Sequence, residues 1–366
     1  MKPVPLDAKP PHFSSGAAIL IFITLILLAA TSLLVVELSV NQRLQLRTND
    51  KASSLGEAQQ ALLGYALAQA IPGTLPCPDS TGDGLANPNG ANCQSQLGLL
   101  PTRTLNLPEL DDGSGAKLWY AVDLNYVGNA TALKNSSVTT TLRLDARTVS
   151  AVVIAPGPAV DNQSRQLLVR TDFLEGLNAD ADLAEYESTS SASQNDRIVG
   201  IDVGRYWALM ERRVLIDATQ LLNAYRAACN EYPWAANFGG PYTSVNSQQN
   251  GAPPLNTALP DNWGAACAGG TAPTPATYLV NHWIDQLYYG MCTAAQGNCL
   301  TVLGSSVSPV AGILLAPGIA LASQTRPDSD PGDYFEAEND SLPTTQFRQR
   351  TLNNHTSSYN DITNGF

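Results

Sequence analysis

The chain is short of charge and shorter still of histidine. Only 14% of its 366 residues are charged, and 20 lysines and arginines face 32 acidic residues. The net charge of −12, with no Lys/Arg cluster, excludes a nucleic-acid partner, because phosphate backbones call for grouped cations. Three histidines and six cysteines, with no Cys-x-x-Cys pair, leave no zinc-like ligand set. His12 and His355 lie toward the ends, so only His282 falls in an element that could carry chemistry. Neither a Gly-x-Ser-x-Gly elbow nor a His-Glu-x-x-His helix occurs. The reading is therefore a non-enzyme. Proline is missing too, from Gly16 to Ala70, although residues 1–15 hold Pro3, Pro5, Pro10 and Pro11.

What fills the space left by charge is Gly, Pro, Ser, Thr and Asn, as in loop-rich proteins outside the cytoplasm. All six cysteines follow the N-terminal apolar run, and an even set of this kind reads as disulfides in an oxidising compartment. Proximity along the chain favours Cys77–Cys93, Cys292–Cys299 and Cys229–Cys267, although other pairings are open. The run Gly16–Val36 is apolar enough and long enough to span a bilayer. It is too long for a secretory signal core and lacks a small-residue cleavage site at its end. From Asn41 the pattern turns amphipathic with no break signal, with Leu55, Ala58, Leu62 and Tyr65 at helical spacing until Ile71-Pro72-Gly73. The expectation is one helix of about 55 residues, about 80 Å long. Lys2 and Lys9 favour a cytoplasmic N-terminus, and the cysteines place the body on the other side.

A basic leader ending in Gly16, followed by a long apolar helix that runs into an amphipathic half, resembles the type IV pilin and type II secretion pseudopilin superfamily. The resemblance covers about residues 9–70. It implies a prepilin peptidase that cuts between Gly16 and Ala17, leaving 1–16 as a cytoplasmic leader and 17–40 as the transmembrane half. It also implies a place in the bacterial inner membrane, a periplasmic or extracellular body, and pilin-like subunits or secretion machinery as partners. The family carries glutamate at the fifth mature position, where this chain has Ile21. That carboxylate pairs with a neighbouring subunit's terminal amine, so a subunit without it fits the tip of a filament. The alternative is a free-standing membrane-anchored envelope protein that binds glycan or protein.

The body repeats itself. Ala58–Tyr65 matches Ala218–Tyr225, Val152–Gly157 matches Ile313–Gly318, and Gln163-Ser-Arg165 matches Gln324-Thr-Arg326. Phe173-Leu-Glu175 with Asn178 recurs as Tyr334-Phe-Glu336 with Asn339, and Asn195-Asp196 recurs as Asn360-Asp361. A period of about 160 residues is too long for a solenoid and reads as a duplicated module. The expected fold class is α+β: a long N-terminal transmembrane-to-extramembrane helix followed by two related helix-on-antiparallel-sheet modules. Module one covers 41–205 and module two 206–366, with a Gly/Pro/Asn-rich loop insertion at 237–275. Module two's helix is expected over Trp207–Cys229, with Trp207, Met210, Val214, Ala218, Leu221 and Tyr225 on one face. Strands are expected at Leu118–Val122, Val138–Leu144, Val149–Ile154, Arg197–Val203, Gln286–Gly290, Leu300–Leu303 and Ala311–Ala316.

The sharpest local motif is Asp79-Ser-Thr-Gly-Asp83-Gly-Leu-Ala-Asn87, enclosed by Cys77 and Cys93. Asp79, Asp83 and Asn87 offer hard oxygens, and Gly82 and Gly84 permit the turn of a Ca²⁺ loop, which makes Ca²⁺ the candidate cofactor. The competing reading is a disulfide-closed turn in which the aspartates cap backbone N–H groups. Asp328, Asp330 and Asp333 form a second acidic loop that reads chiefly as a solvated turn, and Asp111-Asp112-Gly113 reads as a plain turn. The Ala-Pro-Gly runs at 155–157 and 316–318 lack phosphate-loop spacing and read as strand-to-helix turns. Arg165 and Arg326 are expected to pair with Glu175 and Glu336.

Overall fold

A strand with a continuous apolar run must be covered on both faces, and that requirement organises this protein. In the computed structural model, strand Arg147–Ala155 is buried from Val149 onward on both faces. Residues 53–128, 133–160, 163–180, 182–191, 193–255, 275–340, 344–349 and 359–366 are described. Seven longer strands form most of the two main sheets: β1 (Leu97–Leu99), β2 (Trp119–Val122), β3 (Arg147–Ala155), β4 (Arg197–Asp202), β5 (Tyr288–Met291), β6 (Gly312–Ala316) and β7 (Ile362–Gly365). The first sheet runs β1-β2-β3-β4, and every neighbour is antiparallel. The second runs in the same sense from the short strand Asn250–Gly251 through β5 and β6 to β7, again antiparallel.

Register makes the duplication a matter of geometry. Trp119 faces Ile154 across the first sheet, and Tyr288 faces Leu315 across the second. Gly98 pairs with Tyr120, and Gly251 pairs with Tyr289. Both glycines are there because another backbone crosses them: a Cβ on Gly98 would lie 2.6 Å from the Asp79 carbonyl oxygen, and one on Gly251 would lie 2.0 Å from that of Ala236.

Two helices lie between the sheets. Helix α1 is described over 53–68 and α2 covers Val203–Cys229. Helix α2 starts at the Asp202 carboxylate, which accepts the Arg205 N–H at 2.9 Å, and ends at Asn230 in the left-handed conformation. It touches strands of both sheets, so its buried stripe is broader than the one expected and takes in Leu215 and Leu222, while Leu221 is half-buried. A single core joins Leu62 and Ala66 of α1, Trp207 and Met210 of α2, Tyr120 and Val153 of the first sheet, and Tyr289 and Leu314 of the second. The outer face of each sheet has its own smaller core, around Trp119 and Phe173 in one and Tyr288 and Phe335 in the other.

The expected fold class needs correcting. No long N-terminal helix is among the described elements, and no helix of the described residues is long and apolar enough to cross a membrane. The leader, the transmembrane half 17–40 and the segment 41–52 lie outside the described residues. Absence of proline permits a helix but does not create one, so an unbroken pattern was weak support for a single 55-residue rod. The architecture is mixed α/β rather than a helix on an antiparallel sheet. Arg143–Leu144 pairs in parallel with Glu185–Tyr186, and Thr301–Leu303 with Gln346–Arg348. These parallel pairs form because the long connections after β3 and β6 return beside their own sheet. Val138–Leu144 accordingly shrinks to the strand Arg143–Leu144.

Candidate functional site

The connections after β3 and β6 are held by the same hydrogen bonds twice over. Gln163 Nε2 donates to Glu175 Oε1 and Gln324 Nε2 to Glu336 Oε1, each at 2.7 Å. The other oxygen of each glutamate accepts a backbone N–H, from Asn195 and from Asn360, each at 3.0 Å. The Glu175 and Glu336 N–H groups donate to Asp196 Oδ2 and Asp361 Oδ2 at 3.1 and 2.9 Å. Asn178 and Asn339 add side-chain donors to the same two oxygens, at 3.0 and 3.2 Å. The arginines do not ion-pair with the glutamates. Arg165 donates to Gln163 Oε1 and lies over the Phe173 ring, and Arg326 donates to Gln324 Oε1 and lies over Tyr334. Glutamine therefore stands between each arginine and its glutamate, and keeps the two charges apart.

These carboxyls are buried, and burial sets their protonation. The Asp196 carboxyl is pushed up to about 7, chiefly by burial, against the donors from Glu175 and Asn178. Asp361 is raised further by burial and by the neighbouring Glu336 charge. Glu211 of α2, fully buried, is likewise pushed up to about 7 by burial, opposed by Ser136, Arg326 and the Gly318 backbone. Glu211 was not among the residues singled out from sequence. Its signal was there, since it falls four residues after Trp207 and three before Val214, inside the buried stripe.

Beside Glu211 the two halves are joined by polar groups. Asn135 Nδ2 donates to the His282 carbonyl at 2.7 Å, and Ser137 Oγ to Gln286 Oε1 at 3.2 Å. Lys134, fully buried, donates to the Asn125 carbonyl at 2.8 Å. His282 is buried and its pKa is lowered by burial and by Lys134, which keeps it neutral within this joint.

The Asp79 loop closes on itself. Asp79 Oδ1 accepts N–H groups from Thr81 at 2.9 Å and Gly82 at 2.7 Å, and Oδ2 accepts that of Gly84 at 2.6 Å. Asp83 Oδ1 takes the Leu85 N–H at 2.9 Å, and Asn87 Oδ1 takes that of Ser80 at 2.7 Å. Backbone donors converge on these oxygens, which is the arrangement of a turn closed on itself. Among the described residues no group of three or more His, Cys, Asp or Glu side chains is placed to hold a metal. Asp328, Asp330 and Asp333 similarly accept backbone N–H groups of Asp330, Gly332 and Thr325. The disulfides Cys77–Cys93 and Cys292–Cys299 are present, in keeping with an oxidising compartment. Cys229 is disulfide-bonded, and its expected partner Cys267 lies outside the described residues, as do Gly16 and Ala17.

An open groove of about 380 Å³ lies on the outer face of the second sheet. Asn237, Phe238, Gln248, Asn250, Tyr288 and Pro331 line it. Phe238 and Tyr288 have ring centroids 6.2 Å apart. Gln248 is fixed by donating to the carbonyls of Ala236 and Asn250 at 2.9 and 3.0 Å. The beginning of the 237–275 insertion thus forms one wall, and residues 256–274 lie outside the described residues. The corner beside Asp79 in the first half offers a cavity of only about 10 Å³. No protein-family model, no curated protein and no solved structure matches the chain.

Proposed function

We propose that the chain is a minor pilin-like or pseudopilin-like structural component of a bacterial type IV filament or type II secretion system, with its body outside the inner membrane. The observation that carries this reading is the way both halves grip α1, the helix nearest the apolar run. Gln59 of α1 donates to the Gly200 carbonyl of β4 at 2.8 Å. Arg213 of α2 donates to the Leu67 carbonyl and, at 2.9 Å, to that of Gln69, holding the end of α1. Leu55, Ala58, Leu62 and Ala66 are buried in the common core. A pull on the N-terminal segment is thereby passed to the whole body, which an assembly subunit requires. The buried carboxylates serve as ties within the scaffold, in keeping with a role in assembly rather than turnover.

Co-expression with a prepilin peptidase tests this. The wild-type chain is expected to lose the mass of residues 1–16, and Gly16→Val to keep it. A wild-type chain of unchanged mass sinks the pilin reading. A second reading, an envelope protein that recognises a ligand, is favoured by the open groove on the second sheet.

A further inference from the structure

The two halves share strand order and register, so position-by-position differences between them mark where one half has taken on a task. At the outer edge of the first sheet, Leu97 and Trp119 are buried in an apolar cluster. The matching positions of the second sheet are Asn250 and Tyr288. Both now line the groove. Asn250 Oδ1 and the Tyr288 hydroxyl are buried and have no hydrogen-bond partner among the described residues, and Tyr288 is only 2% exposed. An unpaired polar group in such a place costs roughly 1–3 kcal/mol, which a ligand that completes the bond returns.

We propose that this groove is a binding site for a neutral saccharide. Among the described residues its lining carries no cation and no carboxylate, and so lacks what would select an anion or an amine. It presents planar amides from Asn237 and Asn250, beside a Gln248 whose amide nitrogen is held by the Ala236 and Asn250 carbonyls, and an amide offers donor and acceptor side by side, matching vicinal hydroxyls. Phe238, whose ring leans against that of Tyr288, supplies an apolar wall against which the C–H face of a pyranose ring packs. A volume of about 380 Å³ lies in the range of small-ligand sites. The Tyr288 hydroxyl stays protonated, because burial pushes it up, and so serves as a donor. Asn250 Oδ1 serves as an acceptor. Gly251 holds the wall in place, since any side chain there would strike the Ala236 carbonyl.

This inference rests on the recognition reading and is independent of leader processing, so an uncleaved chain refutes filament assembly without touching the groove. The test uses the full chain in a detergent whose head group is not a sugar. Binding is measured to an immobilised panel of neutral oligosaccharides including cellobiose, maltose and N,N′-diacetylchitobiose, with uronic-acid oligosaccharides and a proline-rich peptide as controls. At least one neutral saccharide is expected to bind. Tyr288→Phe and Asn250→Ala should each weaken it by about 3- to 10-fold, the loss of one hydrogen bond. Tyr288→Phe should not lower the unfolding temperature, because the hydroxyl has no partner among the described residues and its removal relieves an unpaired buried group. The proposal is overturned if no neutral saccharide binds, if only the uronic acids or the peptide bind, or if both variants bind as tightly as the wild type.

Discussion

Replacing Glu211 with glutamine should make the protein more stable at alkaline pH and change little in acid. Glu211 is fully buried, and the cost of that burial outweighs the help its carboxyl receives from Ser136, Arg326 and the Gly318 backbone. Its pKa rises from 4.5 to about 7 on folding, so the folded state holds a proton that the unfolded chain releases between those values. Stability from this group is therefore complete below pH 4.5 and is lost as pH climbs through 7. Two and a half pH units at 1.36 kcal/mol each give a loss of about 3 kcal/mol. Glutamine has nearly the same shape and no charge to bury. It should match the wild type near pH 4.5 and exceed it by about 3 kcal/mol at pH 8.5. Urea unfolding followed by fluorescence of the buried Trp207 and Trp283 across this range is the assay. Asp196 and Asp361 are raised in the same direction and leave a residual slope of the same sign in the variant. If Glu211→Gln unfolds earlier than the wild type at pH 8.5, or leaves the slope unchanged, the carboxylate is ionised and well paired, and the reasoning fails.

Other perturbations have clear expected outcomes. Gly251→Ala places a methyl group against the Ala236 carbonyl and should lower stability by about 3 kcal/mol or more, read as loss of soluble folded chain or a large drop in unfolding temperature. Arg213→Ala removes the donors that hold the end of α1, and should cost about 1–3 kcal/mol with faster hydrogen exchange at residues 66–70. Opening the Cys77–Cys93 disulfide by a double serine substitution should cost about 3 kcal/mol, as expected for a loop closed over 16 residues, seen as an earlier urea midpoint.

Regular patterns were legible and long-range ones were not. The α2 stripe followed from the spacing of Trp207, Met210, Val214 and Ala218, and the strand at Val149–Ile154 from its β-branched residues between turn signals. The duplication was legible because the clamp residues keep their spacing from Gln163 to Glu175 and from Gln324 to Glu336. The Ala-Pro-Gly turns were also visible, yet they lead into loops rather than helices, reaching only short 3₁₀ turns at Arg170–Asp172 and Pro331–Asp333. Strand Asn250–Gly251 is two residues long, too short for any periodicity, so the groove it borders had no local signature. The polar joint joins Asn135 to His282 across 147 residues, a pairing that only the folded chain brings together. The pairing of Arg165 with Glu175 went wrong because opposite charges at a repeated spacing look like partners, whereas Gln163 lies between them.

Comparing the two halves separates what holds the body up from what varies on it. The clamps recur with bond lengths that agree to within about 0.2 Å, from Gln163–Glu175 to Asn178–Asp196 and their counterparts, as expected of parts whose work is structural. The outer edges differ in kind. Leu167, Leu168 and Val169 are exposed in the first half, where the second has Asp328, Ser329 and Asp330, and Leu97 and Trp119 give way to Asn250 and Tyr288. A rigid scaffold with changeable rims is the usual way a fold acquires a site, because rim changes cost little while the frame stands. The division predicts a dissociation of effects. Gln163→Ala and Gln324→Ala each leave a buried glutamate oxygen unpaired and should each lower stability by about 1–3 kcal/mol, equally in the two halves, with the groove's ligand affinity unchanged. Tyr288→Phe should do the reverse. Equal stability losses from all three, measured by urea unfolding, would mean that the groove is part of the frame.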